Sequence, residues 1–269
     1  MAILRATRNI DLSGYREGTL GRRVAARMAK TCNGDGAAYL ERLEASPDEC
    51  DRLIEAIAIN VSSFFRDPGV YEALAREVLP EIIGRKRMGR SKEIRVWSAG
   101  CAAGEEPYSL AILIDGALKG KKSGWSYLIF ATDIDNSALG RAKAATYGRE
   151  QFKDTKLDVL DTYFTPHGDG YELRPFVRKM VEFSWDDLAS AGRTAPAGSI
   201  FGSFDLVLCR NVLIYFSSDA QGAIFGRLYK SLAPGGYLVL GDSETLNSET
   251  NALLHTISQK NRIYRRPLR

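Results

Sequence analysis

The sequence predicts an α/β fold in which a doubly wound, mostly parallel sheet follows an all-helical unit and carries a small antiparallel β-insertion. Three observations lead to this fold class. The first sixty residues show apolar side chains at helical spacing, and from residue 94 onward strand-like runs alternate with helical patterns. Between residues 147 and 180 the alternation breaks. We therefore expect a helical domain with its linker over residues 1–70, and an α/β domain over 71–269 with the insertion at 147–180.

The amino-terminal unit contains an amphipathic helical pattern over residues 19–30. Leu20, Val24 and Met28 recur at every fourth position, which is typical of a helix with one buried face. Three basic residues share a neighbouring face of this helix: Arg23, Arg27 and Lys30. The first thirty residues hold seven basic side chains and two acidic ones, so the net charge of +4 is concentrated here.

The other elements follow from periodicity and from cap, glycine and proline residues. Helical patterns cover residues 36–43, 47–59, 70–83, 107–119, 137–147, 158–164 and 219–232. Strand-like runs cover residues 94–97, 127–131, 181–183, 204–209 and 237–240. We expect the helix over residues 47–59 to begin with Ser46 as its N-cap and Pro47 in its first turn. Residues 84–92 are expected to form a linker and residues 234–236 a turn. Residues 254–258 and 262–264 are expected to pair as a hairpin at the sheet edge.

The composition excludes several classes of protein. A hydrophobic fraction of 45% and a charged fraction of 26% are typical of a globular chain. The four cysteines form no CxxC pair and there are two histidines, so we expect neither a metal site nor a disulfide framework. Neither histidine lies near a nucleophile motif, which argues against triad chemistry. No signal peptide or membrane span is evident, so we expect a cytoplasmic protein that does not insert into the membrane.

The sharpest local signal is a strand, a small-residue loop and a helix over residues 95–108, with Gly100 in the loop. Small residues let a ligand approach the backbone at a helix start, but this spacing is neither that of a dinucleotide fingerprint nor that of a P-loop. The acids Glu105 and Glu106 at the loop exit favour a cationic ligand such as S-adenosylmethionine, with Glu106 at its amino-acid end. The alternative is that both acids only complement the helix dipole.

Polar residues also follow two further strands. Asp133 ends the second strand, where a doubly wound fold places an acid on ribose hydroxyls, whereas we expect Asp135 or Asn136 to cap the next helix. The buried run 204–209 delivers Arg210 and Asn211 to its carboxyl end. An arginine beside a cationic cofactor requires an anion between them, which an acidic substrate or the cofactor's own carboxylate supplies. The amine-methylating Asn/Asp-Pro-Pro-aromatic turn is missing here.

These segments resemble the chemotaxis receptor glutamate methyltransferases, the CheR family, over nearly the whole chain. The matching segments are LSGYREGTLGRRVAARM, NVSSFFRD, RVWSAGCAAGEEPYSLAI, ATDID and CRNVLIYF. The resemblance implies the S-adenosylmethionine-dependent methyltransferase type of α/β fold and a catalytic role for Arg66 and Tyr215. It also implies a set of cofactor contacts: Asn60, Ser62, Arg66, Gly100, Glu106, Asp133, Asp187, Leu188, Arg210 and Asn211. Some relatives have asparagine at the position of Asp187. Taken alone, residues 60–67 are better interpreted as a helix cap with two core phenylalanines, while Tyr215 is equally well interpreted as a core aromatic.

The resemblance further implies methyl transfer to glutamate side chains of chemotaxis receptors, with S-adenosyl-L-homocysteine as the product. A glutamate carboxylate is ionised at neutral pH and needs no general base. We expect the basic face of Arg23, Arg27 and Lys30 to dock the helical cytoplasmic domain of the receptor, the alternative being a solvated helix face. The family carries a β-subdomain at the insertion, which grips a receptor-tail peptide in some members. Its turn is short here, so we expect no tail binding, and we expect a monomer.

Two rival functions remain open from the sequence. One is a methyltransferase acting on nucleic acid or a small molecule, and the other is a non-catalytic S-adenosylmethionine-binding module. Against nucleic acid, the sequence lacks an aromatic stacking platform. Against the non-catalytic module, the polar positions expected to contact the cofactor are all filled.

Overall fold

The computed structural model describes residues 2–89, 91–120, 124–190, 192–196, 198–199 and 202–268. Four helices form the amino-terminal domain: α1 Ala2–Arg8, α2 Glu17–Cys32, α3 Gly36–Ala45 and α4 Pro47–Ala58. The Ser46 hydroxyl accepts the Glu49 N–H and Pro47 lies in the first turn of α4, as predicted. Helix α1 was not predicted, because of its residues only Leu4 is buried and no amphipathic repeat develops in seven residues.

A continuous helical stretch then leads into the α/β domain. It consists of α5 Pro68–Ala73, a π-helical segment Leu74–Val78 and α6 Leu79–Met88. The Leu79 N–H donates to the Leu74 carbonyl, and the next residue is Pro80, which has no N–H to give to a regular helical turn. The expected linker 84–92 is therefore helical as far as Met88, while its residue 90 lies outside the described part of the chain.

The sheet has seven strands, in the order β6-β2-β1-β7-β8-β10-β9. The strands are β1 Glu93–Ala99, β2 Ser126–Asp133, β6 Val181–Trp185, β7 Phe204–Cys209, β8 Leu232–Leu240, β9 His255–Ser258 and β10 Ile263–Arg265. The first five strands in that order are parallel, and β10 pairs antiparallel with β8 and β9, which confirms the edge hairpin. The expected turn at residues 234–236 is instead a bulge inside β8, since Phe204 faces Leu232 while Leu206 faces Tyr237.

Helices cover both faces of this sheet. They are α7 Glu105–Ala117, α8 Asn136–Ala144, α11 Ser218–Ser231 and α12 Ser248–Leu253, in addition to α5 and α6. Two clusters of buried side chains lie on opposite faces, and one of them runs without a break from the amino-terminal helices to Trp97 and Phe204 of the sheet. Each parallel strand therefore delivers its carboxyl end to the same edge, beside the amino-terminal domain. None of the described helices combines the length and apolar character that crossing a membrane requires.

The predicted insertion forms a separate three-stranded antiparallel sheet, in the order β3-β5-β4. Its elements are β3 Thr146–Tyr147, α9 Leu157–Tyr163, β4 Phe164–His167, β5 Gly170–Leu173 and the short helix α10 Pro175–Arg178. The helix expected over 137–147 ends earlier, because Ala145 adopts a left-handed conformation and the next two residues pair with β5. The insertion thus begins one residue before the predicted boundary.

Candidate active site

A cavity of about 300 Å³ lies at the carboxyl ends of the parallel strands, with the segment between α4 and α5 on its other side. This is the edge at which doubly wound folds bind ligands. Most of the residues expected to contact a cofactor line it: Asn60, Ser62, Arg66, Gly100, Glu106, Asp133, Leu188, Arg210 and Asn211, together with Tyr215. Asp187 and the three basic residues of α2 do not belong to this lining.

The loop after β1 forms the floor of the cavity. The N–H groups of Gly100 and Cys101 both donate to the Thr132 carbonyl, at 2.8 and 3.0 Å. Gly100 has φ +74°, and a Cβ at this position would lie 2.3 Å from a methyl group of Val212. Only glycine therefore allows the loop to curve there and the segment after β7 to contact it.

Asp133 connects this loop to the end of β2. Its Oδ2 accepts the Ala102 N–H at 2.8 Å and its Oδ1 accepts the Asp135 N–H at 3.0 Å. Burial raises the pKa of Asp133 to about 6, against the opposing effect of these N–H groups. Asp135 caps α8 through the Ser137 N–H, as predicted, and accepts a hydrogen bond from the Asn60 amide. The acid that lines the cavity and the acid that caps α8 are thus distinct.

A buried charge cluster lies at the start of α7. Glu106 accepts the Ser98 hydroxyl at 2.8 Å and one Arg210 N–H at 3.3 Å. The other end of the Arg210 guanidinium donates to Asp67 at 2.7 Å and to the Arg66 carbonyl at 3.1 Å. Burial raises the pKa of Glu106, and Arg210 opposes that rise. Arg210 therefore holds residues 66 and 67 against the sheet and compensates the charge of Glu106.

Glu105, the neighbouring acid, does not line the cavity. It is buried beside the segment between α4 and α5, where burial raises its pKa to about 7 and Arg141 and Ser62 oppose that rise. The two acids of the motif thus have different environments, and only Glu106 is placed to meet a ligand in the cavity.

Tyr215 and Arg66 line the same cavity and remain partly exposed. Burial raises the pKa of the Tyr215 hydroxyl above its usual value, while the nearby charges of Arg23 and Arg66 lower it. Tyr215 therefore stays a neutral hydrogen-bond donor at physiological pH. The charge of Arg23, on α2, is close enough to act on this hydroxyl, although Arg23 does not line the cavity.

Arg27, the second residue of the expected docking face, is turned inward. Its Nε lies 2.7 Å from Oε1 of the buried Glu49 of α4, and a second N–H donates to Oε2 at 2.8 Å. The Arg27 guanidinium thus holds α2 and α4 together. Among the three predicted residues, Arg23 and Lys30 present exposed charge on the surface of α2.

Asp187 also differs from the expectation. Its carboxylate accepts the Ala189 N–H at 3.0 Å and lies in a neighbouring depression beside Asp11 and Ser13. Its carbonyl accepts an N–H from the buried Arg227 at 2.9 Å. The residues on either side, Asp186 and Leu188, line the cavity instead. The sequence alone does not show which of the two consecutive acids after β6 faces the cavity.

Tyr15 lines the cavity too, and the sequence reasoning missed it. It belongs to a strap, defined here as residues 14–16, that pairs with residues 215–217. Arg16 N–H donates to the Tyr215 carbonyl at 2.9 Å, Ser217 N–H donates to the Gly14 carbonyl at 2.8 Å, and Arg16 Nε donates to the Phe216 carbonyl at 3.0 Å. The Tyr15 and Phe216 rings lie 4.4 Å apart. The amino-terminal domain thus holds the segment that carries Tyr215.

The groups lining the cavity fit S-adenosylmethionine. Its ammonium and sulfonium are cationic, and Glu106 and Asp133 supply anionic groups, whereas the Asp186 carboxylate is already paired with Arg227 at 2.7 Å. Its carboxylate requires a cation, which Arg66 and Arg210 supply; the buried Nε of Arg210 has no hydrogen-bond partner within the described chain. Ile134 and Leu188 provide apolar surface suited to a purine ring.

Comparison with known proteins agrees with this geometry. Residues 60–263 match the family model described as "CheR methyltransferase, SAM binding domain", and residues 1–58 match "CheR methyltransferase, all-alpha domain". The chain is 32% identical over 249 residues to the "Chemotaxis protein methyltransferase" of Listeria monocytogenes, covering 93% of this chain and 89% of that protein. It is 33% identical over 245 residues to the "Chemotaxis protein methyltransferase" of Salmonella typhimurium, covering 89% and 80%.

A 104.1 kDa protein of Rhodobacter capsulatus is 36% identical over 245 residues, covering 91% of this chain but only 25% of that protein. The chain thus spans a quarter of this relative and most of the two shorter ones. The two family models together cover almost all of the sequence and correspond to the helical domain and the sheet domain with its cavity. The chain belongs to the CheR methyltransferase family and is an S-adenosylmethionine-dependent methyltransferase.

Proposed function

We propose that this methyltransferase acts in the cytoplasm on glutamate side chains of methyl-accepting chemotaxis receptors and converts them to methyl esters. The observation that carries the proposal is that Arg66 and Tyr215 line the donor cavity together, with the charge of Arg23 on α2 near enough to lower the pKa of Tyr215 as well. Cations at this point attract an anionic acceptor and would repel a protonated amine. Two relatives that bear the name chemotaxis protein methyltransferase support an acceptor in the chemotaxis system.

The residues present suit an acceptor that is already ionised. When bound, S-adenosylmethionine supplies an electrophilic methyl group on its sulfonium. A glutamate carboxylate, with an ordinary pKa of about 4.3, requires no base to attack it. Arg66 attracts the carboxylate, and the neutral Tyr215 hydroxyl donates a hydrogen bond that orients one oxygen. Both histidines, His167 and His255, are at exposed positions and do not line the cavity.

The product distinguishes a carboxylate acceptor from an amine. We expect labelled S-adenosylmethionine and a purified receptor cytoplasmic fragment from the same organism to give protein-bound label that mild alkali releases as methanol, because esters hydrolyse in base and methylamines do not. A fragment with alanine at its candidate glutamates is the control and should take up no label. Label that survives alkali, or that transfers to nucleic acid in place of the fragment, contradicts the proposal.

We further propose that the exposed charges of α2 dock the helical receptor domain, with the enzyme acting as a monomer and without nucleic acid. Exchanging Arg23 and Lys30 for glutamate is expected to raise the KM for the receptor fragment about ten-fold and to weaken its salt dependence. Donor affinity should stay unchanged. The matched control replaces two exposed basic residues of the α5–α6 stretch, Arg76→Glu and Arg87→Glu. An unaltered KM and salt slope in the α2 variant rules out this docking face.

A further inference from the structure

Glu244 is a buried acid that belongs to none of the sequence motifs of the site. It lies between β8 and α12, is 3% exposed, and accepts four backbone N–H groups. Its Oε1 accepts those of Leu213 at 2.7 Å and Val212 at 2.8 Å. Its Oε2 accepts those of Gly241 at 2.6 Å and Asn211 at 3.0 Å. A single carboxylate therefore fixes three consecutive residues of the segment after β7 and anchors them to the end of β8.

That segment is a wall of the donor cavity. Asn211 and Val212 line it, and Asn211 has φ +61°, in the left-handed region that asparagine tolerates better than most side chains. A methyl group of Val212 also lies against Gly100 of the β1 loop, as described above. A displacement of the carboxylate would thus move the wall and release its contact with the floor.

We propose that Glu244 is a positioning residue for methyl-donor binding: its carboxylate holds residues 211–213 in the conformation that the donor recognises. The side chain does not line the cavity and acts through the backbone it holds. The inference concerns the donor alone, so it is independent of which protein accepts the methyl group.

Glutamine at position 244 tests the proposal with little change of shape. A glutamine amide has one oxygen and one NH₂ group, so in either orientation two of the four backbone N–H groups would face another donor. We expect Glu244→Gln to raise the Kd of the full chain for S-adenosylhomocysteine, measured by calorimetry, at least ten-fold. The matched control is Glu249→Gln, at an exposed glutamate of α12, which should bind within two-fold of the wild type.

A second variant perturbs the same contacts without removing the charge. A Cβ at Gly241 would lie 2.7 Å from the Asn211 nitrogen and 2.8 Å from Glu244 Oε2, so Gly241→Ala displaces the carboxylate and should also weaken donor binding at least ten-fold. Amide hydrogen exchange provides the readout of a local effect: residues 211–213 should exchange faster in both variants, with β1 and α2 unchanged. Donor binding within two-fold of wild type in a folded variant, or faster exchange spread over the whole chain, overturns the proposal.

Discussion

Replacing Arg210 with alanine is expected to lower the free energy of unfolding by about 3 kcal/mol and to abolish measurable donor binding. The side chain is 2% exposed and is the charge partner of Glu106, which would stay buried without a cation. The variant also releases Asp67 and the Arg66 carbonyl, so the segment between α4 and α5 loses its attachment to the cavity. Denaturant unfolding and calorimetry with S-adenosylhomocysteine measure the two effects.

The loss of stability in this variant should depend on pH. Burial already raises the pKa of Glu106, and removing Arg210 raises it further. A carboxyl whose pKa is higher in the folded state than in the unfolded state costs stability as pH rises through the folded pKa. The variant should therefore be closer to wild type at pH 5 than at pH 8. Arg87→Ala, at an exposed position of α6, is the control; an equal loss at both pH values would contradict the role of Glu106.

Replacing Asp133 with alanine is expected to raise the Kd for S-adenosylhomocysteine about 100-fold, or about 2.7 kcal/mol. The carboxylate accepts the N–H groups of Ala102 and Asp135, and hydrogen bonds to a charged acceptor contribute about 1.5–3 kcal/mol each. Alanine would leave both N–H groups without this acceptor and remove the anionic group from the cavity. Calorimetry on the folded variant measures the change.

The control for this substitution is Asp242→Ala, at an exposed aspartate that also follows a strand of the sheet. It should bind the product as tightly as the wild type does. Donor affinity of the wild type should itself fall as the pH is lowered through about 6, because the pKa of Asp133 lies there and protonation removes its charge. Wild-type affinity for Asp133→Ala would show that the β2 acid has no part in binding.

The pattern of apolar residues along the sequence was sufficient to predict most of the helices and strands. The strand Phe204–Cys209 is buried on both faces, so its run of apolar residues, interrupted only by Asp205, ends where the strand ends. The errors in the predicted elements occur where tertiary contacts determine the secondary structure. Thr146–Tyr147 continues a helical pattern but pairs with β5, and residues 234–236 have the composition of a turn but lie within a bulged strand.

The candidate site was predictable where a residue's role follows from its position after a strand. Glu106, Asp133 and Arg210 are of this kind, and all three line the cavity. Helical spacing put Arg27 on the docking face with Arg23 and Lys30, and it could not show that Glu49 of α4 lies opposite and turns the Arg27 side chain inward. The role of Glu244 depends on the backbone of a segment 31–33 residues away in sequence, and an acid after β8 was the only signal for it.

The strap of residues 14–16 limits how far the two domains can be interchanged. Three hydrogen bonds to the backbone of residues 215–217 and a ring contact with Phe216 hold the strap in place, and Tyr15 lines part of the cavity. A chimaera whose first 58 residues come from a relative must contain a strap that is complementary to residues 215–217. Otherwise its methyl-transfer centre is incomplete. Recombination at the family boundary between residues 58 and 60 therefore exchanges part of the catalytic chamber as well as the helical domain.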